Sequence, residues 1–264
     1  MTDEGGTSAV ATQPLLEFRS ISKSFGGVRA LEGVSICLRA GEVVGLVGDN
    51  GAGKSTVVKI MAGNLAPDSG EFLFEGTPVT LREPADAGAL GIQTVYQDLA
   101  LCDNLDAVQN LFLGRELKGS WLSGGRVRRA ESEMRARDVL RKLRLDKLSL
   151  TRSVGQMSGG QRQNIAIARA ILWNPRVILL DEPTAALSLS TALKVGELIR
   201  TLADQGHGVL VISHDIHNFV MTVTDRIEVL RLGRNVASYV SKEANPEQIV
   251  NAMVGGKEGV NSSR

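Results

Sequence analysis

The sequence predicts an α/β protein with a largely parallel sheet covered on both faces, a small antiparallel β subdomain near the N-terminus, and an inserted helical subdomain. Three observations predict it. Short apolar runs at 43–47, 177–180 and 209–212 read as strands buried on both sides, and the later two are separated by a helical pattern. A glycine-rich stretch at 48–53 joins the first run to a helical pattern at 54–62. Between about 98 and 155 the strand periodicity gives way to a mostly helical pattern with an internal break at 119–125.

Each element follows from its residues. Residues 1–13 are small and polar and read as a disordered tail, with no apolar stretch of the kind a signal peptide carries. Residues 15–21 and 34–38 alternate apolar and polar, so each is expected to lay one face on a core, with a turn at Gly26-Gly27. Residues 71–81 read as a hairpin through Gly76-Thr77, and 92–96 as another strand of the main sheet. In the helical region, 126–147 holds nine Arg or Lys against four Asp or Glu, with Met134, Leu140 and Leu143 expected to form an apolar stripe opposite a basic face. A helix at 193–203, late strands at 226–231 and 235–240 joined through Gly233, and a short helix at 246–253 opened by Pro246 complete the chain. The expected division is a tail at 1–13, a core at 14–97 and 161–255, a helical subdomain at 98–160, and a flexible tail at 256–264.

Composition narrows the function classes. The 264 residues carry 30 Lys and Arg against 29 Asp and Glu, a net charge of +1 that argues against a general nucleic-acid binder. Two cysteines, Cys37 and Cys102, cannot supply a disulfide framework or a four-ligand zinc site. His207, His214 and His217 share no ligand spacing that would make a zinc centre. No segment approaches eighteen uninterrupted apolar residues, so none reads as a membrane span.

Residues 48–55 read Gly-Asp-Asn-Gly-Ala-Gly-Lys-Ser and fit the phosphate-loop pattern, with an apolar strand before and a helix after. Backbone N–H groups from Gly51, Ala52, Gly53, Lys54, Ser55 and Thr56 converge on phosphate oxygens only in a tightly curled loop, which Gly48, Gly51 and Gly53 permit around Asn50. The helix start adds its dipole, Lys54 a charge for the β and γ phosphates, and Ser55 a hydroxyl for Mg²⁺. Asp181 closes the 177–180 strand, where its carboxylate reaches a hydrated metal; Glu182 points elsewhere and is free to serve an attacking water. His214, at the end of the next strand, is placed to donate to a γ phosphate and sense its loss. The guanine-reading Asn-Lys-x-Asp or Thr-Lys-x-Asp element does not occur.

Met157-Ser158-Gly159-Gly160-Gln161 lies so that Gly160 stands twenty-one residues before Asp181. With the phosphate loop, Gln97, Asp181-Glu182 and His214, it resembles the ATP-binding cassette family, whose signature is Leu-Ser-Gly-Gly-Gln, here with Met157 in the leucine place. The resemblance spans 15–255 and implies a phosphate-loop, RecA-like ATPase core. It implies ATP and Mg²⁺ as ligands: Phe25 stacking on adenine, the 48–56 loop on the phosphates, and Ser55, Gln97 and Asp181 around the metal. It further implies Glu182 as general base, His214 on the γ phosphate, and Ser158, Gly159 and Gly160 completing the site of a second copy.

A narrower resemblance, to bacterial monosaccharide importers, rests on 101–105, 110–116, Thr184-Ala185-Ala186-Leu187-Ser188, 212–215 and 249–255. Those importers commonly hold two cassettes per chain, whereas one phosphate loop and one signature occur here, which implies a homodimer or pairing with a separate cassette chain. The resemblance also implies transmembrane permease subunits, a periplasmic sugar-binding protein on the far side, and a peripheral place on the cytoplasmic face of the membrane. Ser188 departs from the aspartate that many cassettes carry in the loop that crosses to the partner. Competing readings are a cassette acting on DNA or ribosomes, favoured only by the basic run at 126–147, and a non-hydrolysing nucleotide-binding scaffold, disfavoured by Glu182. No nucleic-acid partner is expected.

Overall fold

The computed structural model describes residues 13–119, 127–185 and 187–255. The expected tails at 1–13, save Gln13, and at 256–264, and the break at 119–125, save Gly119, lie outside them. Strands β1 (Leu16–Phe25) and β2 (Val28–Leu38) form an antiparallel hairpin around Gly26-Gly27, in register Phe25 to Val28 and Leu16 to Leu38. Both strands run further toward the turn than alternation suggests. Apart from the buried Leu31, the added residues are exposed or half-buried, so no alternation extends the strands in the sequence. β3 (Val43–Gly48) is buried throughout and runs through the glycine-rich loop into α1 (Lys54–Met61). β4 (Ser69–Phe74) and β5 (Thr77–Pro78) close a four-stranded sheet in the order β2-β1-β4-β5.

The second sheet gathers the buried runs. After α2 (Pro84–Ala89) comes β6 (Ile92–Val95), then α3 (Ala107–Phe112), α4 (Arg129–Lys142) and α5 (Gly159–Ile171). β7 (Val177–Asp181), α6 (Leu189–Asp204) and β8 (Gly208–Ile212) follow. A π-helical turn, Ile216–Val220, leads into α7 (Met221–Val223), and β9 (Arg226–Arg231), β10 (Arg234–Val240) and α8 (Pro246–Val254) end the fold. The six-stranded order is β10-β9-β3-β8-β7-β6, with every pair parallel except β9 with β10. The parallel strands are buried on both faces. Val43, Ile178, Leu180, Val209 and Val211 face a core shared with α3, α4, α5 and α6, while Val44, Leu179, Leu210 and Ile212 face α1 and the antiparallel sheet. Each such side chain contributes about 1.5–3 kcal/mol by leaving water, and this double-sided burial is why the runs read as continuously apolar.

Arg226 ties the two sheets together, donating to Glu42 Oε1 at 2.9 Å and to the Cys37 carbonyl at 2.6 Å, with Glu228 also against its guanidinium. The helical region departs from expectation in two ways. Among the described residues between 98 and 155, only Ala107–Phe112 and Arg129–Lys142 are α-helical, and Met134 is exposed while Ser132, Ala136 and Leu140 form the buried stripe. Six residues separate Met134 from Leu140, which at 100° each places them about 120° apart around the helix. The α5 helix begins at Gly159, so the expected boundary at 160 falls inside its first turn.

Candidate active site

The ends of the parallel strands create the site. β3 delivers the glycine-rich loop, and the adjacent β8 and β7 deliver His214 and Asp181-Glu182. Lys54, Ser55, Gln97, Asp181, Glu182 and His214 all line one cleft of about 330 Å³, with Asn50, Gly51, Ala52, Gly53 and Thr56 on its floor. Gln97, two residues past the end of β6, completes it from the side.

The loop curls because of where it sits. Gly53, the N-cap of α1, holds φ 105°, and a Cβ there would lie 2.7 Å from the Ala30 carbonyl oxygen. Only glycine accepts that conformation and that approach together. Lys54 is 7% exposed and its ammonium donates to the carbonyls of Gly48 at 2.7 Å and Asp49 at 3.0 Å. Burial lowers its pKa, against the pull of Glu182, Asp49 and Asp181. The α1 helix carries no acidic residue in its first turn to occupy the N-terminal donors.

The acidic pair is divided by environment. Asp181 ends β7, with burial raising its pKa against the attraction of Lys54, His214 and Lys59. Glu182 takes a left-handed φ of 52°, a conformation costing a non-glycine residue on the order of 1–3 kcal/mol and often kept where a site needs it. Its N–H donates to the Ile212 carbonyl at 3.0 Å, fixing it beside β8. Burial first, then the Asp181 charge, push the Glu182 carboxyl up to about 7. His214 Nε2 lies 2.9 Å from Glu182 Oε1, an ion pair when the imidazole is protonated. The approach is not aligned as a hydrogen bond, and Oε1 is buried without another partner among the described residues. A strained, half-buried carboxylate poised near neutrality beside an imidazole has the properties of a general base.

The remaining expected residues lie elsewhere. Phe25 is 51% exposed at the tip of the β1–β2 hairpin, with the Lys23 ammonium 5.9 Å from its ring centroid; its register partner Val28 lines the cleft. Ser158 caps α5 and accepts from the Gln161 N–H at 3.3 Å, while Gln161 Oε1 accepts from the Ser158 N–H at 3.0 Å. Ser158 and Gly159 are exposed, and Gly160 packs so closely on α6 that a Cβ would collide with the Thr191 methyl. None of the three lines the cleft. Ser188 caps α6, its hydroxyl 2.9 Å from Thr191 Oγ1. His207 is buried with Nδ1 2.7 Å from the Pro175 carbonyl oxygen, a packing role.

Val28, Arg29 and Ala30 also line the cleft, and sequence reasoning missed them. They arrive from β2 by long-range pairing, seen in Glu32 N–H donating to the Gly233 carbonyl at 2.7 Å, and no local pattern marks them. Four arginines of the basic run are held in ion pairs, Arg128 and Arg135 with Glu131, Arg129 with Asp106 and Glu133, and Arg141 with Asp138.

The family profile described as ABC transporter matches residues 31–185, more than half of the chain. A xylose/arabinose import ATP-binding protein of Sulfolobus acidocaldarius is 45% identical over 239 residues, covering 90% of this chain and 93% of that protein. A fructose import ATP-binding protein of Rhizobium meliloti is 40% identical over 253 residues, covering 94% and 97%. Among solved structures, a bacterial ABC transporter cassette determined as a dimer superposes with a TM-score of 0.72 at 27% identity, covering 87% of this chain and 100% of that one.

Proposed function

The chain belongs to the ABC transporter family, and on that premise we propose that it is the ATP-binding and ATP-hydrolysing subunit of a sugar importer, powering uptake of a monosaccharide through a separate membrane permease. One observation carries the proposal: Lys54, Ser55, Gln97, Asp181, Glu182 and His214, far apart in sequence, line a single cleft. Both importer relatives are matched over nearly their full length.

The cleft assigns the work. Backbone N–H groups of 51–56 and the start of α1 bind the triphosphate, and the Lys54 ammonium, held at the loop by the Gly48 and Asp49 carbonyls, meets its negative charge. The Ser55 hydroxyl, Gln97 amide oxygen and Asp181 carboxylate are all oxygen donors lining the same cleft, a set that suits a hard divalent cation. Mg²⁺ bound there supplies charge neutralisation for the phosphates. Glu182 takes the proton of the attacking water, and His214 orients the γ phosphate and shares the Glu182 charge. Phe25 stacks on the adenine from the hairpin tip.

Ser158, Gly159 and Gly160 act on the nucleotide of a second copy, with the α5 N-terminus offering donors that the cleft itself does not contain. The dimeric cassette structure supports that assembly. The chain is then peripheral at the cytoplasmic face of the membrane, under permease subunits fed by a periplasmic sugar-binding protein. No helix among the described residues is long and apolar enough to cross a membrane. The core at 14–97 and 161–255 hydrolyses ATP, and the 98–160 subdomain carries the signature.

The test is Mg²⁺-dependent ATP turnover by the purified chain and by Glu182→Gln. The variant should bind ATP as the parent does, lose about 10²–10⁴-fold in kcat, and accumulate as a nucleotide-bound dimer by light scattering. Turnover at the parent rate removes the assignment. Copurification with an integral membrane permease, rather than with ribosomes or DNA, tests the transport half.

A further inference from the structure

The loop from Gln97 to α3 is gripped by the helix that follows the signature. Arg169, near the end of α5, donates from Nη2 to the Leu99 carbonyl and from Nη1 to the Ala100 carbonyl, both at 2.7 Å. Ala100 holds a left-handed φ of 49°, which turns its carbonyl onto the guanidinium only while the loop keeps this shape. Two turns earlier, Arg162 pairs with Asp103 at 2.8 Å. Seven residues rotate an α-helix by about 700°, so the two arginines stand on one face and hold the loop at two points.

The same loop is fastened to the segment just before the signature. Gly155 N–H donates to the Asp103 carbonyl at 2.9 Å, Val154 N–H to the Leu105 carbonyl at 3.0 Å, and the Ser153 hydroxyl also to the Asp103 carbonyl. The Leu99 carbonyl that Arg169 holds is two residues from Gln97 along the chain. Its cost is visible, since burial pulls its pKa below the usual arginine range and both hydrogen-bonded groups are neutral carbonyls. A guanidinium fork matches two adjacent carbonyls in a way an ammonium does not.

We infer that Arg169 is a positioning residue: it locks the Gln97 loop to the signature helix, so that the place of Gln97 in the cleft and the place of Ser158 at the far end of α5 are set together. This rests on the ATPase reading above. Loss of the fork leaves the phosphate loop untouched but lets Gln97 and Ser158 drift independently. Nucleotide affinity then persists while the assembled site is formed less often.

The experiment is a double-mutant cycle on the full-length chain with Arg169→Met, Gln97→Ala and the pair. Arg169→Met should lower kcat about tenfold with KM for ATP within about twofold, and Arg169→Lys should recover part of kcat. The double variant should be no slower than Gln97→Ala, because Arg169 acts through that loop. If Arg169→Met does not fold, Arg169→Lys carries the same cycle. Multiplying losses in the cycle, a kcat within twofold of the parent, or a change confined to KM would each overturn the inference. Failure of the ATPase reading is separate, because the parent chain itself would then show no turnover lost in Glu182→Gln.

Discussion

The phosphate-loop cleft and the signature end of α5 are built on opposite principles. In the cleft, six side chains from four segments converge, Lys54 is nearly buried, and Glu182 is held in a strained backbone with a perturbed carboxyl. At the signature, Ser158 and Gly159 lie exposed, Ser158 in a capping box with Gln161, and Gly160 is glycine because Thr191 leaves no room. One region is a finished pocket. The other is a finished surface. On the proposed function, the difference means that one copy carries two half-sites that do not serve each other, as a head-to-tail pair requires if each half is to meet its complement on the partner.

Complementation gives the largest expected effect on that comparison. Lys54→Ala removes the buried ammonium from the loop and should weaken ATP binding by about ten- to a hundredfold, measured by calorimetry, with turnover lost in step. Ser158→Arg leaves the cleft intact and should bind ATP like the parent while abolishing turnover. Mixed in equal amounts, the two inactive proteins should recover activity, up to about a quarter of the parent if composite sites fire independently, since half the dimers then own one intact site. No recovery on mixing would mean that the cleft and the signature do not meet across two copies.

A smaller effect sharpens the account of the cleft itself. Glu182 is neutral below about pH 7 in this state and a carboxylate above it, so turnover should rise with pH through that region. Stability should move the other way. Between the ordinary value of 4.5 and about 7 the folded chain binds a proton that the unfolded chain has released, so stability falls as pH rises across that window. Glu182→Gln removes the buried charge and should therefore be more stable than the parent at pH 8, by roughly 1–3 kcal/mol, with the gap closing toward pH 5. Calorimetric melting at the two pH values reads it directly. A gap of the same size at both would show that the carboxyl is not perturbed by its surroundings.

How much of this was legible in the sequence depends on whether the information was local. The glycine-rich loop, Asp181-Glu182 and Ser158-Gly159-Gly160 are contiguous signals, and the parallel strands around them announce themselves as unbroken apolar runs because both faces are buried. Val28, Arg29 and Ala30 were not legible, since only the pairing that brings β2 over the loop places them there. The π-helical turn after His214 was hidden for another reason: Asp215 caps it, accepting from the Asn218 N–H at 2.9 Å, but Ile216, Phe219 and Val220 bury with a spacing that an α-helix also allows. Met134 was misplaced because a stripe inferred from three apolar residues ignored the small ones, and Ser132 and Ala136 fill the positions where α4 packs closest.

The smallest predicted effect tests Phe25, an expected adenine contact that stands outside the cleft. Phe25 and Phe18 lie on the same strand, yet Phe18 is 1% exposed and meets Phe72 edge to face at 5.0 Å, while Phe25 is half exposed at the hairpin tip. A ring kept in water at that position adds little to the fold, so removing it should cost stability almost nothing, whereas Phe18→Ala should cost about 3–5 kcal/mol through the cavity it leaves. If Phe25 stacks on adenine, Phe25→Ala should instead raise the Kd for both ATP and ADP by about fivefold, the equivalent of ~1 kcal/mol of base–aromatic stacking, and Phe25→Trp should restore it. Because the proposed function gives the phosphates to the 51–56 backbone and Lys54, the loss should be the same for the di- and triphosphate and absent for inorganic pyrophosphate. Equal weakening for pyrophosphate would place the effect in the loop, through Val28 and the cleft wall, and take the adenine away from this hairpin.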